Sequence, residues 1–436
     1  MSYIPANHPS QPEPTIAPYP PASSLPPDNY DTSLNLPSAG NSRSTKTIKT
    51  ESKTDTREET STREETDLDL PPVILGGGQF GYGIYDDDQG VLSDMPVRVI
   101  RMALRSGMNA FDTSPHYHPS EIIIGNALKC LESEFPRSSY KIITKAGKYG
   151  PTPRDHVYTP ETIMDSVQRS LKRLHTDYLD VVYLHDVEFI ATDPYPSPAG
   201  HHLPALDPST SEAKTFHLDT TTYSPLGRGD EIILGALGAL RTLQSAGKIR
   251  KVGIAGYPLP LLLRLSLMIL HTTGIPLDIV QSYAHQTVQN AALGEGYLEA
   301  FTEKAKVNQV VNAAPLSMGI LTTRGGPDWH PVIASKSPLE AVCKQAVELC
   351  QQRETSIEVV GTDFGFRVLR QQDLKRVPVV IGCKNLQEME RTLKSWWAVN
   401  NSDGHVKEIG EVEKQVMALF DQRGVRNWSW QSPMNA

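Results

Sequence analysis

Leu179-Asp-Val-Val-Tyr-Leu184 is a short apolar stretch that is followed directly by a polar residue, His185. Its β-branched residues favour a strand that is buried on both faces, as in a parallel sheet. Seven further stretches of the same kind lie along the chain, at residues 73–76, 108–111, 140–144, 251–255, 278–281, 309–312 and 377–381. The sequence therefore predicts eight parallel strands.

Amphipathic stretches separate these strands and predict helices, at residues 96–105, 159–174, 232–246 and 386–397. Thr159 followed by Pro160 is a typical helix start, and Gly247 is a typical helix end. Strands that alternate with helices predict an α/β protein with a (β/α)8 TIM barrel. A doubly wound open sheet is the alternative fold.

The 436 residues divide into two parts by composition. Residues 1–70 are rich in Pro, Thr and charged residues and poor in large apolar ones, so we expect a disordered extension. Residues 71–430 are expected to form the barrel. A long insertion at residues 191–230 follows the fourth strand, and it is either a lid beside the active site or a solvated loop.

Composition also excludes several classes of protein. The formal net charge is −8 and no basic patch occurs, so we expect no nucleic-acid partner. No apolar segment approaches the length of about 20 residues that a membrane span needs. The four cysteines lack metal-ligand spacing, and His201 and His202 lack further ligands, so no metal is expected. The expected location is the cytoplasm.

Polar residues follow three consecutive predicted strands, at the end of a barrel where active sites lie. They are Asp112 and Tyr117, then Lys145, then His185. Each alone is typical of a turn, an anchoring aromatic, a surface lysine or a core histidine. Together they suit hydride chemistry at a carbonyl or alcohol, although a lysine at a strand end also permits a Schiff-base aldolase.

Each of the four has a role in that chemistry. Tyr117 is expected to act as the general acid or base for the substrate oxygen, with its pKa lowered by the Lys145 ammonium. Asp112 would pair with Lys145 and orient it. His185 would hydrogen-bond the substrate oxygen.

Three motifs resemble the catalytic tetrad of the aldo-keto reductase family: Asp112-Thr-Ser-Pro-His-Tyr117, Ile143-Thr-Lys145 and Val182-Tyr-Leu-His185. The resemblance covers residues 71–399 without the insertion, and it implies a barrel, an NAD(P) cofactor and no metal. The stretch His185-Asp-Val-Glu-Phe189 is similar to the fungal and plant branches that oxidise D-arabinose and L-galactose.

The resemblance thus implies an NAD(P)-dependent aldose 1-dehydrogenase with a sugar substrate, as a monomer or dimer. A generic aldehyde or ketone reductase and a non-catalytic subunit that senses nicotinamide remain alternatives.

The resemblance also implies which residues bind the cofactor: Gly78, Gln79 and Phe80 after the first strand, Gln281 after the sixth, Leu316 and Ser317 after the seventh, and Gly382, Cys383, Lys384 and Glu388 after the eighth. NAD is favoured, with NADP as the alternative, because the arginine that would bind a 2′-phosphate is absent and Met389 stands near its position. Two other departures are Ala255-Gly256 in place of Ser-Asn, and Ala313 in place of an aromatic residue.

One competing motif is present at residues 76–81. Gly76-Gly-Gly-Gln-Phe-Gly81 fits GxGxxG, the fingerprint of a dinucleotide-binding turn. That fingerprint requires a helix directly afterwards, and residues 82–90 have the composition of a loop. We therefore interpret these glycines as places where the backbone turns or approaches a cofactor.

Overall fold

The computed structural model describes residues 3–28, 31–36, 68–84, 88–367, 369 and 375–431. Within these residues eight parallel strands close into a barrel, because β1 pairs with both β2 and the last barrel strand, β9. The barrel strands are β1 (Val73–Gly76), β2 (Ala110–Asp112), β3 (Lys141–Ala146), β4 (Leu179–His185), β6 (Ile249–Gly256), β7 (Ile279–Tyr283), β8 (Gln309–Ala313) and β9 (Val379–Gly382). The predicted (β/α)8 barrel is confirmed.

Helices surround the barrel: α1 (Asp88–Val91), α2 (Met95–Arg105), α3 (Ser120–Cys130), α4 (Pro160–Arg173), α5 (Ser211–Thr215), α6 (Arg228–Ser245), α7 (Leu259–Thr273), α8 (Pro331–Ala334), α9 (Pro338–Gln352), α10 (Ile357–Phe366), α11 (Leu386–Asn401) and α12 (Asp403–Gln422). Thr159 caps α4 by accepting a hydrogen bond from the backbone of Thr162. Gly247 has φ 74°, a left-handed conformation that suits glycine after a helix.

The barrel interior is filled by alternate residues of the strands. They form one cluster: Ile74, Ala110, Ile143, Val181, Tyr183, Ala255, Ile279, Val311 and Val380. Because side chains alternate with a period of two, the residue two positions after each of these also faces inward. That rule points the residues at the carboxyl ends of β2, β3, β4 and β7 into one mouth.

The beginning of the chain differs from the expected disorder. Residues 3–28 and 31–36 lie along the outside of the barrel, where Leu25, Leu34 and Leu36 are buried. The carboxylate of Glu13 accepts hydrogen bonds from Arg169 and Arg173 of α4. A proline-rich segment has little backbone freedom to lose, so a few widely spaced leucines are sufficient to hold it. Residues 37–67 lie outside the described residues, and their predicted disorder stays a prediction.

The insertion at residues 191–230 packs against α7, where the backbone N–H of Tyr223 donates to Nδ1 of His271 at 3.3 Å. It contributes a short strand, β5 (Gly200–His201), that pairs antiparallel with β10 (Trp428–Ser429) near the end of the chain. The ring nitrogens of His202 contact Glu212 at 2.5 Å and the carbonyl of Pro198 at 3.0 Å. In the part of the chain that is described, no group of three or more His, Cys, Asp or Glu residues is placed to hold a metal ion.

Asp230 connects the two ends of the insertion through hydrogen bonds. Its carboxylate accepts the backbone N–H groups of Thr192 and Leu226, which lie at the two ends of the insertion. It also forms a two-point ion pair with Arg264 of α7, with distances of 2.6 and 3.1 Å. Both side chains are fully buried, so water cannot solvate either charge if its partner is removed.

Over the described ranges, none of the helices combines the length and the apolar character needed to cross a bilayer.

We expect Asp230→Ala to lower the free energy of unfolding by ~3–5 kcal/mol, because it leaves the Arg264 guanidinium buried and unpaired. Urea denaturation followed by circular dichroism measures this change. Glu231→Ala, which alters an exposed carboxylate on the next residue, is the matched control and should change stability by less than about 0.5 kcal/mol. Equal effects of the two substitutions would contradict the role of Asp230.

Candidate active site

A buried ion pair lies at the carboxyl-end mouth of the barrel. Asp112 follows the inward-facing Ala110 by two positions, and Lys145 follows the inward-facing Ile143 by two positions. The Lys145 ammonium donates to a carboxylate oxygen of Asp112 and, at 3.1 Å, to the backbone carbonyl of Thr113. The two charged side chains are only 2% and 5% exposed, so each is stabilised there chiefly by the other.

The other two predicted catalytic residues lie beside this pair. Nζ of Lys145 is 5.0 Å from the centre of the Tyr117 ring, and the rings of Tyr117 and His185 are 5.6 Å apart between centres. Nδ1 of His185 is 2.9 Å from the Ser114 hydroxyl oxygen, which orients the imidazole and leaves Nε2 to contact a ligand. The structure therefore brings all four predicted catalytic residues together.

The protonation of this site differs from the expectation. Burial, followed by the charges of Asp112 and Asp186, raises the pKa of the Tyr117 phenol well above its ordinary value. The predicted lowering by Lys145 is therefore not what the site produces. Burial, followed by the charges of Lys145 and Lys148, holds the pKa of His185 well below its ordinary value. At neutral pH the phenol is protonated and the imidazole is neutral.

An open groove of about 840 Å³ runs beside the barrel mouth, over the carboxyl ends of β8 and β9. It reaches from Gln79, after β1, to Lys384, which lies just before α11, and to Arg391 within that helix. Its volume is in the upper part of the range of about 300–1,000 Å³ that is usual for ligand sites. Cationic side chains at the positive end of a helix suit phosphate groups. The groove therefore fits an extended dinucleotide.

Half of the residues that the resemblance assigned to the cofactor line this groove: Gln79, Leu316, Gly382, Lys384 and Glu388. Position 382 has no space for a side chain, which explains the glycine there. A Cβ atom there would lie 2.6 Å from Cγ of Gln79, whose side chain crosses the end of β9. The side chain of Gln79 therefore occupies the space that a side chain at position 382 would need.

The other five assigned residues do not line the groove. Gln281 donates from its amide to Asp112 at 2.9 Å, so it braces the ion pair. Phe80 and Ser317 are buried, and the buried thiol of Cys383 lies 3.4 Å from the Thr392 hydroxyl. Gly78 is in the turn Gly77–Phe80 and is partly exposed.

The loop after β8 was missed by the sequence reasoning. Residues 322–329 line the groove, and Nε1 of Trp329 donates to the carbonyl of Ile84 at 3.0 Å. This hydrogen bond links the loop to the segment after β1. The signal that marks it is Gly325-Gly326-Pro327, a turn at the carboxyl side of a barrel strand.

The two other departures from the resemblance have local explanations. A Cβ atom on Gly256 would lie 2.4 Å from Oε2 of Glu188, so this carboxyl group occupies the space that a side chain would need. Ala313 lies directly opposite Tyr283 in the register of β7 and β8, so an aromatic ring stands on the neighbouring strand.

Comparison with known proteins places the chain among oxidoreductases. A sequence profile described as "Aldo/keto reductase family" matches residues 72–414. A D-arabinose 1-dehydrogenase from Saccharomyces cerevisiae is 31% identical over 365 residues, which cover 83% of this chain and 93% of the relative. An L-galactose dehydrogenase from Arabidopsis thaliana is 28% identical over 346 residues, which cover 78% of this chain and 88% of the relative.

Two solved structures are similar to the chain at lower identity. A thermostable aldo-keto reductase in complex with the inhibitor epalrestat is 18% identical, with a TM-score of 0.47 over 80% of this chain and 95% of the other. A glycerol dehydrogenase from Gluconobacter oxydans is 21% identical, with a TM-score of 0.47 over 79% of this chain and 92% of the other.

Glu188 gives this site a measurable dependence of stability on pH. Burial, and then the charge of Asp186, raises the pKa of Glu188 to about 8. Because the folded pKa is above the unfolded one, unfolding releases a proton between about pH 4.5 and pH 8, and stability falls as pH rises through that window. We expect Glu188→Gln to remove this contribution, so that the free energy of unfolding declines less between pH 5 and pH 8.

Chemical denaturation at a series of pH values measures this slope. Glu299→Gln changes an exposed carboxylate and is the control that should keep the wild-type slope. If Glu188→Gln also keeps it, the raised pKa of Glu188 is refuted.

Proposed function

Because the chain belongs to the aldo/keto reductase family, we propose that it oxidises an aldose of the D-arabinose type at its first carbon to the lactone. Enzymes of the family use a nicotinamide cofactor, which accepts the hydride. The observation that carries the proposal is the meeting of Asp112, Tyr117, Lys145 and His185 beside a groove that fits a dinucleotide. The two relatives that are named for sugar oxidation support the substrate class.

The proposed reaction assigns each side chain a contact. Nε2 of the neutral His185 hydrogen-bonds the hydroxyl oxygen on the first carbon and orients it. Once the Tyr117 phenol has released its own proton to solvent, its oxygen accepts the hydroxyl proton, the C–H electron pair leaves the carbon as hydride, and the carbon–oxygen double bond of the lactone forms. Asp112 holds the Lys145 ammonium in place, 5.0 Å from the centre of the phenol ring.

The protonated phenol makes the two directions of reaction unequal. For reduction of a carbonyl, Tyr117 already carries the proton that the substrate oxygen requires. For oxidation, Tyr117 must first release that proton, and its raised pKa opposes this release at neutral pH. Aldehyde or ketone reduction is therefore the second candidate function, and this protonation state is the observation that favours it.

The two remaining alternatives have less support. A Schiff-base aldolase requires an uncharged lysine nucleophile, whereas the Lys145 ammonium donates to Asp112 and to Thr113. The assembled tetrad counts against a non-catalytic subunit that senses nicotinamide. Steady turnover of an aldose with NAD separates the proposed dehydrogenase from both.

We further propose that NAD is preferred over NADP. Glu388 lines the groove, and its carboxylate accepts the backbone N–H of Lys384 at 2.9 Å. A carboxylate in that position suits ribose hydroxyl groups and repels a 2′-phosphate. Lys384 and Arg391, nearby in the same groove, supply positive charge for phosphate groups.

Tyr117→Phe tests the proton transfer. We expect kcat/KM for D-arabinose oxidation to fall by ~10²–10⁴, because the general base is removed. The wild-type kcat/KM should rise with pH across the neutral and mildly alkaline range, since it reports ionisation of the free enzyme, and the remaining activity of the variant should lose that rise. Tyr283→Phe, a phenol on the end of β7, is the control. A variant of Tyr117 with near-full activity would exclude this role.

Glu388→Gln tests the cofactor preference. We expect the Kd ratio of NADP to NAD to decrease about fivefold, which corresponds to ~1 kcal/mol and is typical of one solvent-accessible charge pair. Quenching of tryptophan fluorescence measures both Kd values without turnover, because Trp329 lines the groove. Glu390→Gln, which alters an ion-paired residue of the same helix, should leave the ratio unchanged. An unchanged ratio in Glu388→Gln would contradict the proposal.

A further inference from the structure

Directly after His185 the backbone leaves the strand in an unusual conformation. Asp186 has φ 55° and ψ 58°, in the left-handed region, which is uncommon for a residue with a side chain. Its side chain is 6% exposed, so the carboxylate stays at the buried mouth of the barrel. Oδ2 of Asp186 accepts a hydrogen bond from Nζ of Lys148 at 2.7 Å. A second buried charge pair thus stands next to the first.

The other oxygen of Asp186 lies next to the catalytic imidazole. Oδ1 is 3.8 Å from Nε2 of His185, which is longer than a hydrogen bond. Because Nδ1 of His185 contacts Ser114, the Nε2 atom is the one left for the reacting oxygen of a substrate. Oδ1 of Asp186 and Nε2 of His185 are therefore placed to contact two neighbouring oxygens of one small molecule.

The imidazoles near this carboxylate present buried nitrogen atoms without partners. His116 lies 5.7 Å from His185 between ring centres, and His156 stacks on Phe189 at 4.5 Å. Nδ1 of His116 and Nε2 of His156 are buried and have no hydrogen-bond partner within the described residues. Burial holds the pKa of both imidazoles below the ordinary value, so both are neutral.

Asp186 itself remains charged in this setting. Burial alone raises the pKa of its carboxyl, but the charge and hydrogen bond of Lys148 outweigh burial, and the resulting pKa is lowered. A charged carboxylate accepts hydrogen bonds and donates none, so its natural ligand is a hydroxyl group.

We propose that Asp186, held by Lys148, is the specificity-determining residue that hydrogen-bonds the hydroxyl on the carbon next to the reacting carbon. The inference rests on the proposed function, in which Nε2 of His185 orients the oxygen on the reacting carbon. It assigns the site to substrates that carry hydroxyl groups on adjacent carbons, and it separates them from simple aldehydes and deoxy sugars.

The test compares D-arabinose with 2-deoxy-D-ribose, which is the same sugar without the hydroxyl on its second carbon. Wild-type protein should have a kcat/KM about 10- to 100-fold higher for D-arabinose, the range expected for one hydrogen bond to a charged group. Asp186→Asn should bring the ratio of the two kcat/KM values to about 1. The ratio is the readout, because the charge of Asp186 also acts on Tyr117 and therefore affects both sugars alike. Lys148→Met should act in the same direction, because it releases the carboxylate.

The matched control is Glu188→Gln. Glu188 is a buried carboxyl two residues further on whose Oε1 accepts the backbone N–H of Tyr257. This variant should keep the wild-type ratio between the two sugars. If wild type shows no preference, or if Asp186→Asn lowers both sugars by the same factor, Asp186 is a structural residue and the proposal is overturned. Should Asp186→Asn fail to fold, Lys148→Met decides by the same ratio.

A second measurement keeps this inference separate from the proposed function. Reduction of D-glyceraldehyde is compared with reduction of propanal, which lacks the adjacent hydroxyl, with NADH as the reductant. If no aldose is oxidised, the proposed dehydrogenase is wrong, but a preference for glyceraldehyde that Asp186→Asn abolishes still supports the hydroxyl contact. Equal rates with the two aldehydes in wild type would overturn it.

Discussion

The buried pairing of Lys145 with Asp112 is the constraint on which the rest of the site depends. A charge at the mouth of a closed barrel has almost no water around it, so it must be balanced by a neighbour. The site contains two ion pairs in which the charges balance each other, Lys145 with Asp112 and Lys148 with Asp186. The groups around them are uncharged: the imidazoles are neutral, and the phenol of Tyr117 keeps its proton. The charged positions of the mouth are thus few and fixed, and a substrate must match them.

The barrel and three of the four proposed catalytic residues were predictable from sequence for one reason. Alternation along a strand fixes which residues face inward, and the positions two residues after Ala110, Ile143 and Tyr183 are Asp112, Lys145 and His185. The same rule holds for Gln281, but the rule says only where a side chain points and not what it touches. In the structure the amide of Gln281 donates a hydrogen bond to Asp112, whereas the resemblance implied a contact with the cofactor.

Predictions that depend on loops or on burial were weaker. The loop at residues 322–329 and α11 both line the groove, and no periodic pattern relates the residues of the loop to those of the helix. Whether the pKa of Tyr117 is raised or lowered depends on how completely the ring is buried, and the spacing of residues in the sequence does not show the extent of burial. The packing of residues 3–28 and 31–36 was not predicted. These residues are held by a few separate leucines, which do not raise the average apolar content of the segment.

That packed beginning affects how the domain is delimited. The family profile begins at residue 72, but the outer wall of the barrel is completed by residues 3–28 and 31–36. A chain shortened to the family boundary would uncover the apolar depressions that Leu25, Leu34 and Leu36 fill, and it would strip Glu13 from the guanidinium groups of α4. Such a fragment keeps the four side chains of the proposed catalytic site, yet it exposes apolar patches that favour association with other molecules. Its poor behaviour in solution would then reflect a damaged exterior and not a defect in chemistry.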